Sequence, residues 1–319
     1  MIEGVFEYRN PYEWSRLTAS SNLPPLIITA AITGGVHGKE SNPNLPETID
    51  EQVEQACACY RKGASMIHIH ARDPNNYAVG TGDPGLYRQL FERIRDKCPG
   101  IILNLTTGGS YGQPLEERLK CLTAGPDLAT LALGPEMYRA KIKARKAPLP
   151  HPHDEIKLDD CSYVTYGEVE TIAAMAAELG VKPELEVFHQ GQLWMVNNLI
   201  EKNLVSAPYL VQLVLGSISA AYATPWNMLA LVNELPAGSL LFVAGLGPYQ
   251  LPMIMMSIIL GGHVRVGMED NVYYKRGRLL TSNEEAVGRV ARLAADMNRD
   301  IATPEVARAM LGLPLNQVK

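Results

Sequence analysis

Two histidines placed two residues apart, His68 and His70, are the clearest candidates for chemistry in this sequence, within the run IHIH at 67–70. In a β-strand, residues i and i+2 project from the same face, so both imidazoles point one way while Ile67 and Ile69 point the other. Adjacent imidazoles suit an apolar core poorly but are good zinc ligands. We therefore favour a metal site over the alternative, a pair of hydrogen-bonded core histidines.

The segment GGHVRVGMEDN at 261–271 offers the carboxylate that would complete such a site. Open catalytic zinc sites often combine two histidines with one carboxylate. Arg265 and Glu269 share strand parity and can reach the end of the same strand, where Asp270 follows in the loop. One arginine and two carboxylates at a strand end shift one another's pKa values, as catalytic groups do. A surface cluster of salt bridges is the alternative.

Two further segments place polar side chains on faces that alternate with apolar residues. In PELEV at 183–187, the apolar residues occupy one face and leave Glu184 and Glu186 on the other. A buried carboxylate is costly unless it is paired or bound to metal. In NLTTGG at 104–109, Asn104 and Thr106 share a face, and the backbone amides freed by the two glycines can hold a carboxylate or phosphate. A polar layer followed by a flexible turn is the alternative.

Short apolar runs alternate with longer helical patterns along most of the chain. Eight such alternations favour parallel strands closed into a (β/α)₈ TIM barrel, whose active site lies at the carboxyl ends of the strands. An open doubly wound sheet is the second possibility, but no GxGxxG follows the first strand. The strands are predicted at 26–31, 66–70, 101–106, 128–133, 184–188, 210–215, 240–244 and 264–267, and the helices at 48–62, 84–97, 167–179, 191–203, 225–235, 249–260, 284–297 and 304–311.

The composition is that of an ordinary globular protein. With 319 residues and no evident linker, we expect a single domain over 1–319, with the barrel core at about 24–300, an N-terminal extension, C-terminal helices and an insertion at 137–163 between the fourth and fifth strands. The net charge of -5 argues against nucleic-acid binding. We expect no membrane span and no signal peptide. Five cysteines without a CxxC pair fit reduced thiols in the cytoplasm.

Several of these runs occur together, in order, in a known family. The segments ITAAITGG at 28–35, NPNLP at 42–46, IHIHARDP at 67–74, TTGG at 106–109, PELEV and GGHVRVGMEDN resemble the β-keto acid cleavage enzymes, from about residue 26 to about residue 311. The resemblance implies a zinc-dependent (β/α)₈ barrel that converts a β-keto acid and acetyl-CoA into acetoacetate and a new acyl-CoA. It also implies a homo-oligomer, by resemblance a tetramer.

The resemblance assigns roles residue by residue. It implies that His68, His70 and Glu269 bind the metal, and that Arg265 and Asp270 form the polarising and acid–base pair. A glutamate that pairs with a substrate ammonium in the family's aminohexanoate enzymes is replaced here by valine, which predicts a β-keto acid with a differently charged tail. The remaining site residues implied are Glu186 and Thr106 for catalysis, and Thr107, Gly108, Gly109, Thr130, Val36 and His37 for substrate binding.

Two other function classes remain open at this point. A metal-dependent hydrolase of the amidohydrolase type also begins with HxH on a barrel strand, but it needs histidines after later strands, and His189 alone meets that need. A non-catalytic metal or ligand binder is the other alternative, although an acid–base pair would be superfluous there. The basic run KIKARK at 141–146 is predicted to hold the CoA phosphates, with a solvated loop or a subunit contact as the alternative.

Overall fold

The described part of the protein closes into a barrel of eight parallel strands. The computed structural model describes residue 7 and residues 9–108 and 113–315. Strands pair in chain order, and the last pairs with the first, so the predicted TIM barrel is confirmed. The strands are β1 (Ile28–Ala31), β2 (Met66–Ile69), β3 (Ile102–Leu105), β4 (Leu128–Ala132), β5 (Lys182–Val187), β6 (Tyr209–Leu215), β7 (Ser239–Gly245) and β8 (His263–Val266).

Helices surround the barrel and begin where the sequence provides caps. The side chain of Thr48 accepts from the backbone of Glu51, and the side chain of Glu51 accepts from the backbone of Thr48, so α2 begins with a capping box. The N-terminal helix and the short helix after β3 were not predicted. The helices are α1 (Pro11–Ala19), α2 (Ile49–Arg61), α3 (Pro84–Lys97), α4 (Leu115–Leu119), α5 (Tyr166–Glu178), α6 (Leu193–Glu201), α7 (Pro225–Glu234), α8 (Gln250–Leu260), α9 (Asn283–Asp296) and α10 (Pro304–Leu311).

The interior of the barrel is apolar at one end and polar at the other. At the amino ends of the strands, inward residues such as Met66, Ile102 and Leu240 form a buried cluster that includes Leu311 of α10. Two residues further along β2 and β3, the inward positions become His68 and Asn104, and β5 adds Glu184 and Glu186. The polar end is the carboxyl end, where TIM-barrel active sites lie. No described helix is long and apolar enough to cross a membrane.

The insertion after β4 is an antiparallel hairpin, which we name the strap (residues 136–162). Its strands, Glu136–Ile142 and Ile156–Ser162, are paired along their whole length. The tip turns back toward the loops that follow β1 and β2, where Arg145 meets Glu47 and the ring of His151 lies 6.4 Å from that of Tyr77. The strap therefore spans one side of the barrel mouth.

The basic run in the strap is not the uniform cationic surface that its sequence predicts. Arg145 is only 1% exposed, and its guanidinium donates to Glu47 at 2.7 and 2.8 Å and to Glu40 at 2.8 Å. An arginine held by two buried carboxylates cannot also bind a phosphate. The prediction that this run binds CoA phosphates is therefore wrong for Arg145, while Lys141, Lys143 and Lys146 are exposed.

Candidate active site at the barrel mouth

Strand β2 delivers both predicted histidines to the polar end of the barrel. His68 and His70 are buried, and their rings meet edge to face with centroids 5.1 Å apart. The Nε2 atoms of His68 and His70 lie 3.5 and 3.2 Å from Oε1 of Glu269. His68 pairs with Ala31 of β1 and with Asn104 of β3, so the backbone of three strands fixes its position, and His70 follows directly after the end of β2.

Glycines allow Glu269 to reach the histidines. Gly267 has φ of +148°, and a Cβ there would come within 2.0 Å of the carbonyl oxygen of Ala31. Gly34 has φ of +69°, and its Cβ would lie 2.7 Å from Cγ of Glu269. The glycines at these two positions therefore let the β8 loop close against the end of β1 and leave room for the Glu269 side chain.

Arg265 is the centre of the charged cluster. Its Nε and Nη2 donate to both carboxylate oxygens of Asp270, at 3.0 and 2.9 Å, in a bidentate pair. The same guanidinium donates to Glu269 at 2.5 Å and lies 3.5 Å from Glu186. All four residues sit at the carboxyl ends of β5 and β8, so the acid–base pair and the assisting carboxylate implied by resemblance lie together in the structure.

Burial and charge divide the carboxylates into two kinds. Burial opposes ionisation of Glu269, but Arg265 and the two histidines hold its pKa well below the usual range. Burial raises the pKa of Asp270 to about 6 and that of Glu186 to about 8, against the opposing effect of Arg265. Burial lowers the pKa of His68 to about 4. The histidine is therefore neutral, as a metal ligand must be, and Glu186 is a protonated acid near neutral pH.

A second polar layer lies below Glu186. Asn104 donates to Glu184, and burial raises the pKa of that carboxyl to about 7. Gln212, inward on β6, lies 3.5 Å from Glu186. The glutamine within the apolar run YLVQLVL is the sequence signal that marks this position. Glu136, the first residue of the strap, has a buried Oε1 that no described residue hydrogen-bonds, and no strand pattern marked it.

The threonines beside the site are tied to the backbone and to one another. The hydroxyl of Thr106 accepts from the amide of Gly108 at 2.9 Å. The hydroxyl of Thr107 donates to the carbonyl of Thr130 at 2.7 Å, and the hydroxyl of Thr130 accepts from the amide of Thr107 at 3.1 Å. These bonds hold the ends of β3 and β4 together. The predicted substrate-binding residue Gly109 lies outside the described residues.

The loop after β1 places the predicted specificity residues at the rim. Val36 is 49% exposed. Nε2 of His37 lies 2.9 Å from the carbonyl oxygen of Met268. Burial lowers the pKa of His37. Glu40, which could have replaced the missing counter-charge, is buried against Arg145. Arg72 fixes the loop by donating to the carbonyls of Gly34 and His37, at 2.5 and 2.8 Å.

The chemistry of the donor set fits a divalent metal ion. The ligand atoms of His68, His70 and Glu269 all lie within 4.8 Å of one another, and they are the one such group found in the described residues. Oε2 of Glu269 is buried without a hydrogen-bond partner from the described chain. A buried carboxylate oxygen with a free lone pair is costly unless something positive occupies the space beside it. His189 is not part of this group, which removes the ligand that an amidohydrolase would need.

Comparisons with known proteins identify the family of this chain. The family model for the beta-keto acid cleavage enzyme matches residues 25–313. A 3-keto-5-aminohexanoate cleavage enzyme of Fusobacterium nucleatum is 38% identical over 291 residues, covering 91% of this chain and 99% of that protein. A 3-oxoadipate:acetyl-CoA acetyltransferase of Cupriavidus necator is 32% identical over 298 residues, covering 92% of this chain and 97% of that protein.

A solved structure supports the fold independently. The apo structure of ObcA superposes with a TM-score of 0.65 at 18% identity, over 85% of this chain and 66% of that chain. None of these comparisons supports the amidohydrolase alternative. The motifs predicted from sequence, the site that they form and the match over nearly the whole length agree, and the chain belongs to the β-keto acid cleavage enzyme family.

Proposed function

We propose that this protein transfers the acyl part of a β-keto acid to CoA and releases acetoacetate. The methylene gives up a proton and bonds to the acetyl carbonyl carbon of acetyl-CoA, which releases the CoA thiolate. The thiolate then bonds to the original keto carbon, the bond between that carbon and the methylene breaks, and the methylene takes a proton back. Atoms and electrons balance without an oxidant. The observation that carries the proposal is the group His68, His70 and Glu269 beside the Arg265–Asp270 pair at the barrel mouth, in a chain of this family.

We infer that the ion held by His68, His70 and Glu269 is zinc. Two neutral imidazoles and one carboxylate, with at least one position left open, are typical of catalytic zinc sites. Such an ion would supply Lewis acidity to the carbonyl and carboxylate oxygens of a bound β-keto acid. The residues around it would stabilise charge, transfer protons and position the substrate.

In this proposal, Arg265 stabilises negative charge and Asp270 transfers protons. Arg265 stays cationic in a buried position, so it can offset negative charge that develops on the keto oxygen. Asp270 is held in one orientation by the bidentate pair and can accept and return a proton at a carboxylate oxygen. Glu186, protonated near neutral pH, can donate a hydrogen bond to the same region. Thr106, Thr107, Thr130 and the glycines that follow Thr107 would position the substrate carboxylate.

The substrate tail is proposed to lack an ammonium group near Val36. A valine side chain offers an ammonium no hydrogen bond, and Glu40 is committed to Arg145. His37, with its lowered pKa, is neutral and offers no negative charge. We therefore infer an uncharged tail, or one recognised at His37, although the Fusobacterium relative is named for an amino substrate.

We also propose an oligomeric state, a domain organisation and a cellular location for this protein. Large apolar side chains of α6, α7 and the loop between β6 and α7 are exposed: Trp194 by 73%, Tyr222 by 83% and Trp226 by 77%. Exposed apolar groups of this size favour association, and we propose a homo-oligomer, a tetramer by family resemblance. We also propose one domain over residues 1–319. We also propose that the protein is cytoplasmic, a setting in which its five free cysteines would stay reduced.

A substrate screen tests the proposed function. The metal-loaded protein is incubated with acetyl-CoA and each of a set of β-keto acids with neutral, anionic and cationic tails, and free acetoacetate and the new thioester are measured. We expect both products in equal amounts for at least one tail. Loss of β-keto acid without a new thioester would identify a hydrolase or decarboxylase instead.

A further inference from the structure

A large cavity lies beside the proposed metal site, between the loops that follow β7 and β8. Its volume is about 780 Å³. Gly247 and Gln250 line it from the β7 side, and residues Asp270 to Gly277 line it from the β8 side. Leu251, Ile254 and Val266 make its floor apolar. The cavity approaches the metal site at Asp270, which lines it, directly follows Glu269 in the chain and is paired with Arg265.

The charges around this cavity are positive. Lys275, Arg276 and Arg289 line it, and Asp270, the one carboxylate in the lining, is neutralised by Arg265. Lys275 and Arg276 are exposed and make no ion pair with any described residue. Arg289 is held in place, because it donates to the carbonyl of Tyr274 at 2.7 Å and lies 4.4 Å above the Tyr274 ring. The cavity thus combines an apolar floor with a rim of cations, which suits a ligand with an apolar arm and an anionic head.

The strap directs such a ligand to this side of the mouth. It starts after β4 and is anchored by Arg145 beside Glu47, in the loop after β1, so the β1–β4 side is crossed by protein. The β7 and β8 loops lie opposite β4 in the barrel order. These are also the loops with which TIM barrels most often bind phosphate groups. The phosphate groups of a polyanionic co-substrate that must reach the metal site could pair with the cations of this cavity.

We propose that this cavity binds the nucleotide part of CoA, with Lys275, Arg276 and Arg289 holding its phosphates and the pantetheine arm running over Asp270 to the metal site. The assignment rests on the proposed function for its ligand. This assignment gives phosphate binding to the cavity residues instead of the strap lysines, to which the sequence alone had assigned it.

A comparison of two double variants tests the assignment. Lys275→Ala with Arg276→Ala removes two cations of the cavity, and Lys141→Ala with Lys143→Ala removes two exposed cations of the strap. A charge-assisted hydrogen bond lost by the first variant should raise the KM for acetyl-CoA about 10- to 100-fold. The preference for acetyl-CoA over acetylpantetheine, which lacks the nucleotide, should fall by the same factor. The strap variant should keep the wild-type KM. An unchanged KM in the cavity variant, or a raised one in the strap variant, overturns the assignment.

A binding measurement separates this proposal from the proposed function. Calorimetric titration of the wild type and both variants with CoA, and with adenosine 3′,5′-bisphosphate, requires no turnover. We expect weaker binding of both ligands in the cavity variant alone. If the wild type binds CoA in this way but cleaves no β-keto acid, the proposed reaction is wrong and the cavity assignment stands. Equal affinity in the wild type and the cavity variant, or no binding at all, overturns the cavity assignment.

Discussion

Neighbouring carboxylates in this site have different partners, and for that reason we propose different roles for them. Glu269 faces two imidazoles and keeps a buried oxygen without a partner, whereas both oxygens of Asp270 are held by Arg265. The first arrangement suits a metal ligand and the second suits an acid–base group. This division can be tested with two isosteric substitutions.

Asp270→Asn and Glu269→Gln should fail in different ways. Asp270→Asn cannot accept a proton, so it should keep its metal and lose about 10²- to 10⁴-fold in kcat. Glu269→Gln removes the charged ligand, so it should lose metal as well as activity. Elemental analysis after gel filtration and steady-state kinetics distinguish the two. Metal loss in Asp270→Asn, with full metal occupancy in Glu269→Gln, would contradict this account, because Asp270 would then be the metal ligand and Glu269 would not.

The residue at position 36 should control selectivity for the substrate tail. Val36→Glu supplies a carboxylate for an ammonium group, and a charge-assisted hydrogen bond of about 1.5–3 kcal/mol corresponds to about 10- to 100-fold in kcat/KM. The ratio of kcat/KM for amino and uncharged substrates should therefore rise by that factor in the variant. If the wild type already prefers the amino substrate, this account of Val36 is wrong, and Glu136, with its unpartnered oxygen, is the carboxylate to replace next.

At the scale of elements, the site depends on close approach between β8 and β1. The sequence predicted which strands exist and which way their side chains point, since His68, Glu186 and Arg265 follow simple alternation. It did not predict that Gly34 leaves space for Glu269, because that contact joins residues more than two hundred positions apart. Strand parity is local information, whereas loop approach is set by tertiary packing.

Gly34→Ala should weaken metal binding specifically. Its Cβ would lie 2.7 Å from the Glu269 side chain at φ of +69°, whereas Gly180 has φ of +68° and nothing within 4 Å. Both substitutions carry a similar backbone strain, of the order of 1 kcal/mol, at positive φ. Only Gly34→Ala should also lower metal affinity, by about 10- to 100-fold as for other changes that displace a ligand's support. Competition with a chelator measures this, and equal affinities in the two variants would remove Gly34 from the site.

The strap should depend on Arg145 for its attachment. Arg145→Met leaves Glu47 and Glu40 buried without their partner, and breaking a buried ion pair costs about 3–5 kcal/mol. Arg139→Met, in the same hairpin, removes an exposed pair with Asp159 and should cost about 1 kcal/mol or less. Urea unfolding of both variants gives the comparison. Similar losses of stability would mean that Arg145 does not anchor the strap.

At the scale of the whole molecule, sequence reasoning identified the barrel and its polar mouth but not the strap hairpin. Alternating apolar runs marked all eight strands within a few residues of their bounds. The strap remained hidden because its strand pattern, in residues 136–162, is charged and half exposed, with no apolar face to mark it. The same hairpin contains the basic run, so its buried Arg145 was taken for a surface cation.

The fate of the acetyl group is the most direct test of the central claim. Acetyl-CoA labelled with carbon-13 at both acetyl carbons is mixed with the metal-loaded protein and an unlabelled β-keto acid, and the products are followed by NMR. The proposed reaction places the label at C3 and C4 of acetoacetate and leaves the new acyl-CoA unlabelled. Label that remains in acetyl-CoA, or appears in acetate, while the β-keto acid is consumed would contradict the account.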